Sequence, residues 1–141
     1  MGVDWWVERL NGNGKRVVVD YTENETNRPI HGVLRELSSR MGRFPYGTVN
    51  YLSDVLHFDL YRVIVYTDSV DGLDESYWSD VKKVVSKLVD FKKTRRFKWI
   101  HPLCVKGEGI TIGELVDFLL ELLENILEEY VRGRKYGVFY G

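Results

Sequence analysis

Residues 110–131 read ITIGELVDFLLELLENILEEYV, and the way this segment must be buried decides the fold. Thr111 and Glu114 stand three apart, the spacing of a capping box in which each side chain meets the other residue's backbone N–H. Ile110 and Leu115 flank them as a hydrophobic staple. The pattern predicts a helix over about 112–132. Glu114, Asp117, Glu121, Glu124 and Glu128 recur every three or four residues and form one narrow stripe, while Leu, Val, Phe, Ile and Tyr fill the rest of the circumference. A surface helix needs one apolar face, and this one has about two. At roughly 1.5–3 kcal/mol per large side chain, leaving the second face in water would forfeit much of the fold's stability. The helix must be covered twice, once by a sheet and once by a second body. A second copy of the chain fits that need, with Leu120, Leu123, Leu127 and Tyr130 at the contact; a core helix within one chain is the competing arrangement. The carboxylate stripe rules out a membrane span.

Working back toward the N-terminus, Phe97 to His101 reads as an edge strand closed by Pro102. Asp74 is placed to cap a helix over 75–92, whose Tyr77, Val81, Val84, Val85 and Leu88 form an apolar stripe opposite Lys82, Lys83 and Lys87. Leu60 to Tyr66 is a short, nearly unbroken apolar run, expected to be the central strand. Thr48 would cap a helix over 49–56, and Pro29 opens another over 30–41, through Ile30, Val33, Leu34, Leu37 and Met41. Asn11-Gly12-Asn13-Gly14 tolerates positive φ and joins the arms of a β-hairpin over 3–21. Alternation there puts Val3, Trp5 and Val7 on one face and Asp4, Trp6 and Glu8 on the other, so Trp5 is expected in the core and Trp6 outside. The expected class is α+β: an antiparallel or mixed sheet beginning with an N-terminal hairpin, packed by three to four helices, in a single domain of residues 1–141.

The chain has 141 residues, 44% of them apolar, enough for a core without staples. Its formal net charge of −1 leaves electrostatic recognition to local patches. The lone Cys104 and the lack of a basic, apolar leader in residues 1–10 suit a cytoplasmic protein from which nothing is cleaved.

Several groups could carry chemistry. Lys92-Lys93-Thr94-Arg95-Arg96-Phe97-Lys98-Trp99 interleaves cations with aromatics, the composition that holds phosphates and stacks bases, and points to a nucleotide or nucleic acid. The cations of Arg132, Arg134 and Lys135 are expected to meet the dipole of the last helix. Asp54 with His57, and His101 with Cys104, have ligand-like spacing, although zinc would require the two pairs to meet. Asp68, Asp71, Asp74 and Glu75 follow the apolar run, where carboxylates could collect a divalent cation. Val65-Tyr66-Thr67-Asp68-Ser69 resembles the first catalytic strand of ribonuclease H enzymes, and that resemblance implies a metal-dependent nuclease; Asp68 and, from the acidic loop, Asp71 would be its carboxylates. No serine sits in a strained glycine turn, and neither a Gly-Lys-Ser/Thr loop nor a dinucleotide fingerprint occurs; Gly107-Glu108-Gly109 is too short. No cofactor or resident metal is expected. The function expected from the sequence is a small, self-associating, non-catalytic binding or accessory protein for a protein or small-molecule partner, contacting it through Trp6, Tyr46, Trp78 and the last helix.

Overall fold

The computed structural model describes residues 3–19, 28–105 and 109–141. The end of the expected hairpin at 20–21, the polar loop 22–27 and most of Gly107-Glu108-Gly109 lie outside them. Within them the chain is α+β, in the order β1 (Trp5–Leu10), β2 (Arg16–Val18), α1 (Arg28–Met41), α2 (Tyr46–Leu56), β3 (Ile64–Tyr66), α3 (Glu75–Lys92), α4 (Arg95–Ile100), α5 (Ile112–Val131) and β4 (Tyr136–Tyr140). The sheet is mixed, in the order β2-β1-β4-β3, with β1 antiparallel to both neighbours and β3 parallel to β4.

Asn11 makes the hairpin turn. Its side-chain oxygen accepts from the N–H groups of Asn13 and Lys15 at 2.9 and 3.0 Å, and Gly14 takes a φ of 76° that other residues rarely adopt. Asp74 caps α3 by accepting from Ser76 N–H at 2.9 Å. Thr111 and Glu114 complete the capping box of α5 at 3.0 and 3.4 Å. Thr48 does not cap α2: that helix starts at Tyr46 after Pro45, and Thr48 is buried in its first turn.

Two strand assignments change. The run Leu60 to Tyr66 is split by a 3-10 turn at Leu60–Arg62, and after Val63 its last three residues form β3, an edge strand rather than the central one. The centre belongs to β4, which pattern reading passed over as the tail behind a helix. All five of its residues are buried, as a strand with partners on both edges and cover on both faces demands.

Both sheet faces are in use. Val7, Val138 and Ile64 are aligned by register on one face, with α1 packed on β1 and α5 on β4. On the other face Trp6 stacks on Phe139, and Glu8 is only 3% exposed, contrary to the expectation of a solvent-facing Trp6–Glu8 row. Glu8 accepts from Trp6 Nε1 at 2.9 Å and from Val70 N–H at 3.1 Å, so the 3-10 turn Val70–Gly72 is moored across the strands. Trp5 is half-buried, against Phe44.

The second cover that α5 requires comes from the same chain. α1 packs along one side of α5 and α3 along another, antiparallel to it, and Leu115, Val116, Leu119, Leu122, Leu123 and Ile126 are fully enclosed. No helix among the described residues is long and apolar enough to cross a membrane.

Tyr77 ties α3 to the sheet. Its hydroxyl donates to Val63 O at 2.7 Å and accepts from Val138 N–H at 2.9 Å, and burial pushes the phenol far above its usual pKa. Burial, aided by Tyr46, Tyr66 and Asp59, also raises Tyr140. Both phenols would ionise near pH 10 in the unfolded chain, so their contribution is whole below about pH 10 and falls as pH rises through the raised folded values. Tyr77→Phe is expected to cost about 1–3 kcal/mol in urea unfolding at pH 7 and to flatten the further loss above pH 10. An unchanged stability at pH 7 would contradict this bridge.

Candidate nucleic-acid interface

The segment expected to be a strand at Phe97 to His101 is helical. Thr94 begins α4: its hydroxyl accepts from Phe97 N–H at 3.2 Å and donates to Phe91 O at 2.7 Å. Phe97 and Ile100, three apart, are the half-buried side, and Phe97 meets Phe91 edge-on at 5.3 Å. Trp99 is 79% exposed, in contrast to the half-buried Phe97 and Ile100.

A small residue holds α4 in place. A Cβ at Gly113 would stand 3.1 Å from His101 Cβ and O, and Gly113 N–H donates to His101 O at 2.9 Å. Ile112 N–H donates to Leu103 O at 2.9 Å, and Cys104 bridges Thr111. The loop after α4 is thereby clamped to the start of α5.

The cations of this segment differ in their partners. Lys92 pairs with Asp117 of α5 at 2.7 Å. Lys93, Arg95, Arg96 and Lys98 are exposed and form no ion pair among the described residues. Trp99 in the same segment is 79% exposed, and Leu103, three residues past the end of α4, is 54% exposed. Leu103 escaped the sequence reading; it lies in the loop beyond α4, where no local pattern marks it. Lys82, Lys83 and Lys87 continue the positive charge along exposed positions of α3.

The other candidates are engaged elsewhere or apart. Asp68 accepts from Ser69 N–H at 2.8 Å; Asp71 bonds the Ser69 hydroxyl, which holds its carboxyl below the usual range; Asp74 is lowered by its bond to Ser76. α3 has 18 residues, so about 27 Å of helix separates this acidic loop from the basic segment. His57 closes α2 in the left-handed region at φ 52° and lines an open cleft of about 480 Å³ with Asn50, Asp54, Asp59 and Tyr61. Among the described residues no group of three or more His, Cys, Asp and Glu side chains is placed to hold a metal ion, so the Asp54–His57 and His101–Cys104 pairs do not combine.

The residues expected at an interface lie largely inside the chain. Leu120 and Leu123 are buried, and Leu127 and Tyr130 are half-buried. Trp78 is 2% exposed, its indole N–H donating to Tyr136 O at 3.0 Å and its ring stacked on Tyr130 at 4.8 Å. Of the cations after α5, Arg132 and Arg134 reach buried Glu129 at 3.5 and 3.0 Å, and Lys135 lies 5.7 Å over the Trp78 ring. Tyr46 is exposed, as expected.

Comparison with known families, curated proteins and solved structures finds no match to this chain. With Trp99 the most exposed indole and iodide drawn by the surrounding cations, Trp99→Phe should remove most of the iodide-quenchable fluorescence. Quenching that survives the substitution would place α4 elsewhere.

Proposed function

We propose that the protein binds single-stranded nucleic acid through α4 and the cations that flank it. The observation that carries this reading is Trp99, 79% exposed on a helix with no buried residue, in a segment whose Lys93, Arg95, Arg96 and Lys98 form no ion pair among the described residues. An exposed indole forgoes roughly 1.5–3 kcal/mol of burial, and neighbouring like charges repel. A strand with phosphates and unpaired bases relieves both costs at once: cations displace the strand's condensed counterions, and a base on the indole contributes about 1–3 kcal/mol. A duplex offers no free base face. The six residues of α4, about 9 Å of helix, also give little reach along a major groove.

A second reading, contact with a protein partner or another copy, draws on Tyr46 and Tyr66, which are 40% and 61% exposed beside Tyr140. It draws no support from α5, whose faces are covered by α1 and α3.

Anisotropy of a labelled 15-nucleotide oligothymidylate tests the proposal. Engagement of Lys93, Arg95, Arg96 and Lys98 should give log K falling with log[salt] at a slope of about −3. Trp99→Ala should weaken binding about 5- to 150-fold, the joint variant R95E/R96E/K98E should abolish it, and Lys92→Ala, already paired, should change it little. Binding that ignores salt, or that survives the joint variant, removes the reading.

A further inference from the structure

We infer that the open edge of β2 docks an extended, acidic segment of a partner protein, which joins the four-stranded sheet as a fifth strand. The surface is separate from α4 and works through backbone groups rather than an indole.

The ladder between β1 and β2 shows which groups are free. Val19 N–H donates to Val7 O at 2.7 Å, and Asn11 N–H donates to Lys15 O at 2.8 Å. Hydrogen-bonding pairs alternate along an antiparallel ladder, so Val17, opposite Arg9, also faces β1, while the N–H and C=O groups of Arg16 and Val18 point away from it. β2 is the last strand on its side of the sheet, both residues are exposed, and these backbone groups have no partner among the described residues. Unpaired N–H and C=O groups along an exposed edge are a template for a further strand. The template is held in shape by the Asn11 turn at one end and the Val19–Val7 bond at the other. The opposite edge of the sheet differs, because Ile64 of β3 has no exposed surface through which a partner could reach its backbone.

Side chains choose the occupant. Val18 is 56% exposed, and beside it Lys15 and Arg16 are exposed and form no ion pair among the described residues. Arg16 acts on Asp71 only at longer range, where it adds to the effect of the Ser69 hydroxyl in lowering that carboxyl. An incoming antiparallel strand sets an apolar residue opposite Val18 and carboxylates opposite Arg16 and Lys15, the pattern Val-x-Glu-Glu. Its valine and first glutamate exchange backbone bonds with Val18 and Arg16. A second copy of β2 would instead bring its own Lys15 and Arg16 to the same edge, where like charges repel.

Titration of the full chain with the end-capped peptide Thr-Val-Thr-Glu-Glu-Thr, followed by amide resonances, tests the site. Saturable shifts are expected, largest at Arg16 and Val18, with the matching peptide Thr-Val-Thr-Lys-Lys-Thr about 10-fold weaker. Val18→Pro removes an outward N–H and spares the ladder to β1, since proline is tolerated on the open side of an edge strand. It should weaken the acidic peptide about 5- to 10-fold. K15E/R16E should reverse the preference between the two peptides, and R95E/R96E/K98E should change neither. Should Val18→Pro fail to fold, the reversal in K15E/R16E carries the decision. No saturable shift at millimolar peptide, shifts that avoid Arg16 and Val18, or equal binding of the two peptides overturns the proposal. Shifts of these amides with protein concentration alone would make a second copy the occupant and overturn it as well. The oligonucleotide experiment reads α4 alone, so either surface can fail without the other.

Discussion

The enclosure of α5 is the constraint on which the rest of the molecule depends. A helix apolar around most of its circumference can be stable in water only if neighbours wrap it, and here α1 and α3 do so from the same chain. Their placement fixes the other elements. Arg40 at the end of α1 pairs with Glu114 at the start of α5, so the two helices run antiparallel. At the other end Gly133, at φ 82°, turns the chain from α5 into β4 between β1 and β3. β4 then becomes the strand against which Tyr77 and Trp78 of α3 dock. The stripe left to solvent on α5 is its carboxylates, and Asp117 of that stripe neutralises Lys92.

Local chemistry was readable at several short-range motifs, although Thr48, also read as a cap, lies buried inside the first turn of α2. The Thr111 capping box, the Asp74 cap and the Asn11 turn each join groups a few residues apart, and each appears where the sequence placed it. Readings that required knowledge of a distant neighbour failed. β4 has five residues with no alternation, because it is buried on both faces, and burial on both faces is a property of the sheet. Glu8 alternates as a surface residue would, yet it is internal because a turn 62 residues away supplies Val70 N–H. One miss was local: the strand-like alternation at 97–101 hid the cap that Thr94 gives α4, three residues from Phe97. Trp78, taken for a surface anchor, had its partner in Tyr136, 58 residues on.

The candidate site was legible as a composition and illegible as a shape. The sequence places cations beside aromatics at 92–99, but only the fold separates Lys92, already paired, from Lys93, Arg95, Arg96 and Lys98, which form no ion pair among the described residues. It also shows that the two aromatics have opposite fates, Phe97 packing on Phe91 and Trp99 standing in solvent. A net charge of −1 thus conceals a segregated surface, with positive charge around α4 and negative charge along α5 and the 68–75 loop.

The central claim is that α5 is buried within a single chain, which leaves α4 free for a ligand. Hydrogen–deuterium exchange of α5, followed as the protein is diluted from micromolar to nanomolar, tests it most directly. Amides across 115–126 should be among the slowest in the molecule, with rates independent of protein concentration. Exchange that accelerates on dilution would show that a second copy supplies the cover, and the account would be wrong at its base.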